Sequence, residues 1–202
     1  MPSGEAIQFW FSIASTYSYL TISRLDEVSK RTGIAFQWRP FRLRTITQEQ
    51  NNTPFRGKPI KSAYMWRDIE RRASMYGLPV KVPAPYPIVE VDLANLIAMV
   101  GVEEGWCPAY TRATYRRWFV DGLEPGSEPN LSASLQEIGQ DAQRVIAKAR
   151  TEATAAALTA ATDEARSLNL FGAPSFVTRG ELFWGDDRLD DAIAWHKHGK
   201  LG

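Results

Sequence analysis

The amino-acid sequence predicts an α/β fold, and three stretches carry that prediction. Residues 6–39 read as strand, helix, strand. Residues 91–168 repeat apolar side chains at helical spacing with no strand signal among them. Residues 175–198 return to short β-type runs, a tight turn and a last helix. The order is therefore βαβ, a helical block, then ββα.

The first strand, Ala6–Phe11, places Ile7, Phe9, Trp10 and Phe11 in a short run suited to burial. A helix follows, with Ser15 or Thr16 as its expected N-cap. It runs through Leu20, Ile22, Leu25 and Val28 to Gly33, where glycine suits the C-terminal stop. Ile34, Phe36 and Trp38 alternate with period two and predict a second strand, ended by Pro40. Strand, helix and strand within this span form a βαβ unit. Phe41 to Lys61 is polar, broken by Pro54, Gly57 and Pro59, and predicts a long loop of the functional kind. Ser62 to Tyr76 predicts a helix closed by Gly77. Pro79, Pro83, Pro85 and Pro87 then enforce an extended passage. Helices are predicted at Val91–Glu104, Pro108–Phe119, Leu131–Ile138, Asp141–Lys148 and the alanine-rich Thr151–Leu168. Ser175–Thr178, the turn Arg179-Gly180 and Glu181–Trp184 predict a hairpin, and Leu189–His198 the final helix.

This layout is that of a split thioredoxin fold with an α-helical insertion. Residues 1–41 and 169–202 are assigned to the sheet-bearing part, and 42–168 to the connecting loop and insertion. The 202 residues suit one domain carrying such an insertion, and 44% hydrophobic content supplies a real core. A formal net charge of +1, from 24 basic and 23 acidic residues, offers no field for nucleic acid or anionic lipid. Neither a signal-peptide pattern nor a membrane-spanning apolar run is visible, so a cytoplasmic location is expected.

In thioredoxin-like redox proteins the turn after the first strand carries C-x-x-C; here the same spacing reads Ser15-x-x-Ser18. The single cysteine, Cys107, excludes a paired-cysteine redox centre, and its place before Pro108 suits a buried helix-start residue. A hydroxyl cannot form a disulfide, but near a helix N-terminus it can donate to a thiolate held there. Ser15 read locally is also an ordinary N-cap. Pro174 in Phe171-Gly172-Ala173-Pro174-Ser175-Phe176 precedes a strand. It is either an ordinary trans proline or a cis proline facing the Ser15 turn, with Ala173 offering a strand-like backbone edge. Asp187 and Arg188 are either a helix cap with a surface arginine or a clamp for a ligand's ammonium and carboxylate. His196 and His198 lie two apart on one helix, and no metal site is expected. Arg67, Arg71, Arg72, Arg112, Arg116 and Arg117 read first as solvated faces.

Taken together, four stretches resemble the 2-hydroxychromene-2-carboxylate isomerases: Phe11–Leu20, Asn52 with Lys61 nine residues on, FGAPSF at 171–176 and WGDDRL at 184–189. Those enzymes are relatives of the kappa-class glutathione transferases within the DsbA-like thioredoxin superfamily. The resemblance implies glutathione as cofactor and Ser15 as the catalytic serine that stabilises its thiolate. It implies that Asn52 and Lys61 reach the tripeptide, that Ala173 and Pro174 hold its cysteinyl part, and that Asp187, with Arg188 beside it, binds the γ-glutamyl end. The implied reaction is isomerisation of a small aromatic acid, a hydroxychromene carboxylate, to a ring-opened benzylidenepyruvate in aromatic catabolism, by a homodimer. A kappa-like transferase releasing a conjugate, or a non-catalytic thiol-binding protein, shares the same turn. The chain departs from the common pattern F-D-x-x-S-P-Y-S-Y-L at Ser12 and Thr16, which leaves the acceptor substrate open.

Overall fold

The computed structural model describes residues 6–55 and 57–201; the outermost positions assigned above to the sheet-bearing part, 1–5 and 202, lie outside them. Four strands form one mixed sheet in the order β2-β1-β3-β4. β1 (Ile7–Phe11) pairs in parallel with β2 (Phe36–Pro40), and α1 (Ser18–Thr32) makes the crossover between them. β3 (Ser175–Thr178) runs antiparallel to β1 and forms a hairpin with β4 (Glu181–Trp184).

Side chains of β1 alternate between two cores, as a strand covered on both faces requires. Ile7, Phe9 and Phe11 face one side, where Phe9 meets Trp38 edge-on at 5.0 Å and stacks near Phe176 at 5.6 Å. Trp10 faces the other, with Phe41, Ile46, Ala165, Leu170 and Val177. The first core continues without a break into the helical block, through Tyr110, Tyr115, Trp118, Phe119, Leu131, Leu135 and Val145.

Between the strand pairs lie α2 (Leu43–Glu49), α3 (Pro59–Met75), α4 (Val91–Glu104), α5 (Cys107–Arg116), α6 (Asn130–Glu137), α7 (Ala142–Ala149) and α8 (Glu152–Ser167); α9 (Leu189–His198) follows β4. α5 passes into a π-helical turn at Arg117–Asp121. Asp141 and Thr151 cap α7 and α8 with their side chains, accepting from the N–H groups of Arg144 and Thr154.

Two expectations are corrected. The stretch 41–61 is not all loop, because α2 occupies its first third. The helix tucks Ile46 into the second core and has no side-chain cap at Arg42, so neither periodicity nor a start signal announced it. α3 likewise begins at Pro59, in the first-turn position that proline favours, rather than at Ser62. The extended passage after α3 contains two cis prolines, Pro83 and Pro87.

Candidate active site

The turn between β1 and α1 is built from backbone bonds: the Ser12 carbonyl accepts from the N–H groups of Ala14 (2.7 Å) and Ser15 (2.9 Å). α1 itself starts at Ser18, with Tyr17 as the flanking residue and no side-chain cap. The N-cap expectation for Ser15 or Thr16 is therefore wrong, because both hydroxyls are committed to distant partners. Ser15 Oγ donates to the Ala173 carbonyl at 2.6 Å, and Thr16 Oγ1 donates to Met65 Sδ at 3.0 Å. Ser18 is fully buried as the first residue of α1.

The Ala173–Pro174 peptide is cis, and Pro174 leads directly into β3. Ser15 and Ala173, far apart in sequence, thus meet where the start of α1 faces the start of β3. Across the hairpin, the Pro174 carbonyl accepts from the Gly185 N–H at 2.9 Å, tying this loop to the segment that carries Asp187.

That segment is a single 3-10 turn, Asp186–Arg188. Asp187 and Arg188 are exposed and paired at 3.2 Å, and Arg188 also holds Asp191 at 2.8 Å. Neither caps α9. The anchor is a residue that sequence reasoning passed over. Asp186 is buried and accepts from Arg24 Nη2 (2.7 Å) and Thr21 Oγ1 (2.9 Å), both on α1. The Arg24 guanidinium in turn lies 3.6 Å from the centre of the Tyr76 ring.

α3 supplies the third side. Met65 and Asp68 both meet the Ser15 turn: Met65 through Thr16, and Asp68 through the Tyr17 hydroxyl, which donates to it at 3.1 Å. Lys61, Met65, Asp68 and Arg72 follow helical spacing and share that face, which places Lys61 one turn N-terminal to Met65. Lys61 Nζ sits 5.6 Å from the Phe55 ring centre. Asn52 is exposed in the loop before α3, its N–H donating to the Thr47 carbonyl at 2.8 Å. Ser15 and Ala173 are thus brought into contact, Asp187 and Arg188 are paired beside them, and Lys61 shares the right helix face. Among the described residues no hydrogen bond joins Asn52 to any of these, and its N–H goes to Thr47.

Charge around the turn is set by Asp68. Burial alone would raise its carboxyl, yet bonds from Arg72 and Tyr17 hold it below the usual carboxylate range. Burial, then the Asp68 charge, pushes the Tyr17 phenol well above its ordinary value, so it remains a donor. Arg72 also feels the charge of Asp187, which links α3 electrostatically to the 3-10 turn. Burial pushes the Cys107 thiol up to about 12, which makes it a core side chain and no nucleophile. Arg67, Arg71, Arg72, Arg112, Arg116 and Arg117 all pair with acidic side chains. Among the described residues no group of three or more His, Cys, Asp or Glu side chains is placed to hold a metal ion.

A cavity of about 380 Å³ adjoins the turn, walled by Ser12, Arg42, Arg44, Gln48, Val91 and Asn95 among others. Asn95 Oδ1 also accepts the Ile13 N–H at 2.9 Å, so the helical block holds the turn from this side as well.

The family model of the DSBA-like thioredoxin domain matches residues 6–193. The chain belongs to that family. Within the DSBA-like family it is 28% identical to a 2-hydroxychromene-2-carboxylate isomerase of Sphingobium xenophagum, over 92% of this chain and 95% of the relative. It is 23% identical to a kappa 2 glutathione S-transferase of Caenorhabditis elegans, over 94% of this chain and 90% of that protein. A solved 2-hydroxychromene-2-carboxylate isomerase superposes with a TM-score of 0.82 at 23% identity, covering 93% of this chain and 92% of the other. This DSBA-like chain is accordingly an isomerase-like enzyme.

Proposed function

We propose that this protein binds glutathione at the Ser15 turn and isomerises a small aromatic acid of the hydroxychromene-carboxylate type to a ring-opened benzylidenepyruvate. The observation that carries the reading is the meeting of the Ser15 hydroxyl with the Ala173 carbonyl at 2.6 Å, beside a cis proline and in a turn without cysteine. The donor set suits a thiolate: one short-range hydroxyl, the start of a helix, and a backbone edge for an extended peptide. Bound glutathione supplies the nucleophilic sulfur that adds to the acid and leaves again, dividing one hard rearrangement into easier steps.

The chain's own residues do the rest. Ser15 donates to the sulfur and favours its charged form. The Ala173 backbone and Pro174 hold the cysteinyl part. Asp187 accepts from the γ-glutamyl ammonium, with Arg188 alongside for its carboxylate. Lys61 and Asn52 reach the remaining carboxylate from α3 and the loop before it. The cavity beside the turn takes the aromatic acid, with Arg44 in its wall to face an anionic group, while Arg42 there pairs with Asp92 at 3.5 Å.

The test is a spectrophotometric assay on a hydroxychromene carboxylate with and without glutathione. Turnover that needs glutathione only in catalytic amount is expected, and Ser15→Ala is expected to lower kcat about 100-fold while the protein stays folded. Stoichiometric consumption of glutathione with release of a conjugate would instead assign a kappa-like transferase, the activity that the Caenorhabditis relative's name carries. Turnover indifferent to glutathione ends the reading.

A further inference from the structure

We infer that Tyr115, a residue of the helical block, is the positioning residue for Ser15: its hydroxyl holds the turn so that the Ser15 side chain points at the cis-proline loop. The inference rests on the glutathione reading for what the aimed hydroxyl is used for, and goes beyond it in naming the group that does the aiming.

Tyr115 is fully buried on α5, a hundred positions along the chain from Ser15. Its Oη lies 2.9 Å from the Ser12 carbonyl and 3.0 Å from the Ser15 carbonyl, so one hydroxyl spans both ends of the turn. The two acceptors are not equivalent. Ser12 already receives the N–H groups of Ala14 and Ser15. Among the described residues Tyr115 is the donor to the Ser15 carbonyl. α1 does not begin until Ser18, so Ser15 lies outside the helical ladder, and this contact ties its carbonyl to the helical block. Loss of that anchor would free the Ser15 backbone to shift, carrying Cα and with it Oγ off the line to Ala173, and a weak or misaligned donor stabilises a thiolate poorly. Burial pushes the Tyr115 phenol well above its ordinary value, so the donor keeps its proton through the neutral range. The ring is independently seated against Trp118 and Phe119, at centroid distances of 5.4 and 6.2 Å, which a phenylalanine would retain. α5 also offers an internal control. Tyr110 is fully buried one helix segment earlier, packs edge-on against Trp106 at 6.2 Å, and its hydroxyl makes no hydrogen bond to the turn.

The experiment is a double-mutant cycle between Tyr115→Phe and Ser15→Ala, read by kcat, by glutathione Kd, and by a pH titration of the thiolate absorbance of bound glutathione. Y115F alone should raise the apparent pKa of the bound thiol by about 0.5 to 1 and lower kcat about 5- to 10-fold, with Kd changed less than about twofold. In the Ser15→Ala background it should change neither, because its effect passes through the hydroxyl already removed. Y110F should match the parent protein. An equal loss in both backgrounds, or none in the first, overturns the role. If the parent protein itself shows no lowered thiol pKa, the glutathione reading falls and takes this role with it. A depressed thiol that Y115F leaves unmoved removes the role alone. The unaltered chain covers the case in which Y115F does not fold. A structure with glutathione bound should keep Tyr115 Oη on the Ser15 carbonyl while Ser15 Oγ faces sulfur, and separation of Tyr115 from Ser15 overturns the proposal.

Discussion

Asp68 gathers three donors, with Tyr17 and Arg72 at 3.1 Å and Arg71 at 3.4 Å, and so sits at the electrostatic centre of the α3 face. Its carboxyl is held below its ordinary value in the folded chain. A group of that kind contributes stability that is fully present above its unfolded pKa, near ~3.9, and is lost as pH falls through the lower native value. Asp68→Asn is therefore expected to cost about 1 kcal/mol at pH 7 and progressively less below about pH 4. Thermal melts of both proteins from pH 7 to pH 3 check this, and a constant Tm difference across that window contradicts it. The fate of the serines is decided at the same scale. Ser15 was legible as a chemical residue only alongside Pro174, because locally it resembles any cap. The clamp on its carbonyl was not legible, since nothing in the sequence near Tyr115 separates it from its neighbour Tyr110 on α5.

Elements differ in how much they announce themselves. β1 follows from a short apolar run, β2 from alternation and the β3–β4 hairpin from a two-residue turn, and the pairing of Thr178 with Glu181 places that turn at Arg179-Gly180 as expected. α4 matches its periodic run from Val91 to Glu104, because it is buried on most sides. α2 stayed hidden because its seven residues carry no cap and bury only Ile46 and Thr47. Its existence depends on tertiary contact with the second core, which local pattern does not register. The start of α4 shows how tightly one such boundary is built. Gly126, at φ +76°, leaves room for the Glu90 carbonyl, and a Cβ there would come within 2.3 Å of that oxygen. Gly139 has a similar φ of +74° with nothing within 4 Å of its Cβ position. Gly139→Ala should cost about 1 kcal/mol, the conformational penalty alone, whereas Gly126→Ala should cost about 2–4 kcal/mol by displacing Glu90. Urea denaturation of the two variants tests the contrast, and equal losses would show that the close approach to Glu90 relaxes freely.

Across the whole molecule the sheet and the helical block share one apolar core that runs from Phe9 and Phe11 through Leu20 and Leu25 to Trp118, Phe119 and Leu135. The Ser15 turn lies inside that continuity, bonded to Asn95 and Tyr115 from the block and to Ala173 from the far end of the chain. Unfolding is therefore expected to be a single transition, with far-UV and near-UV signals superimposable. Two separated transitions would mean that the block folds by itself and only leans on the site. The bond from Ser15 to Ala173 has a further consequence for selectivity. On the glutathione reading proposed above, an incoming sulfur must compete with a carbonyl that already holds the hydroxyl, so binding would exchange one acceptor for another. A thiolate wins that competition, because a charged acceptor is about twice as strong as a neutral one. A neutral thiol or an S-alkylated tripeptide does not, and the hydroxyl stays on the protein. The turn would then sense the charge on sulfur, engaging the reactive form of the proposed cofactor and loosening its grip as soon as that charge is consumed.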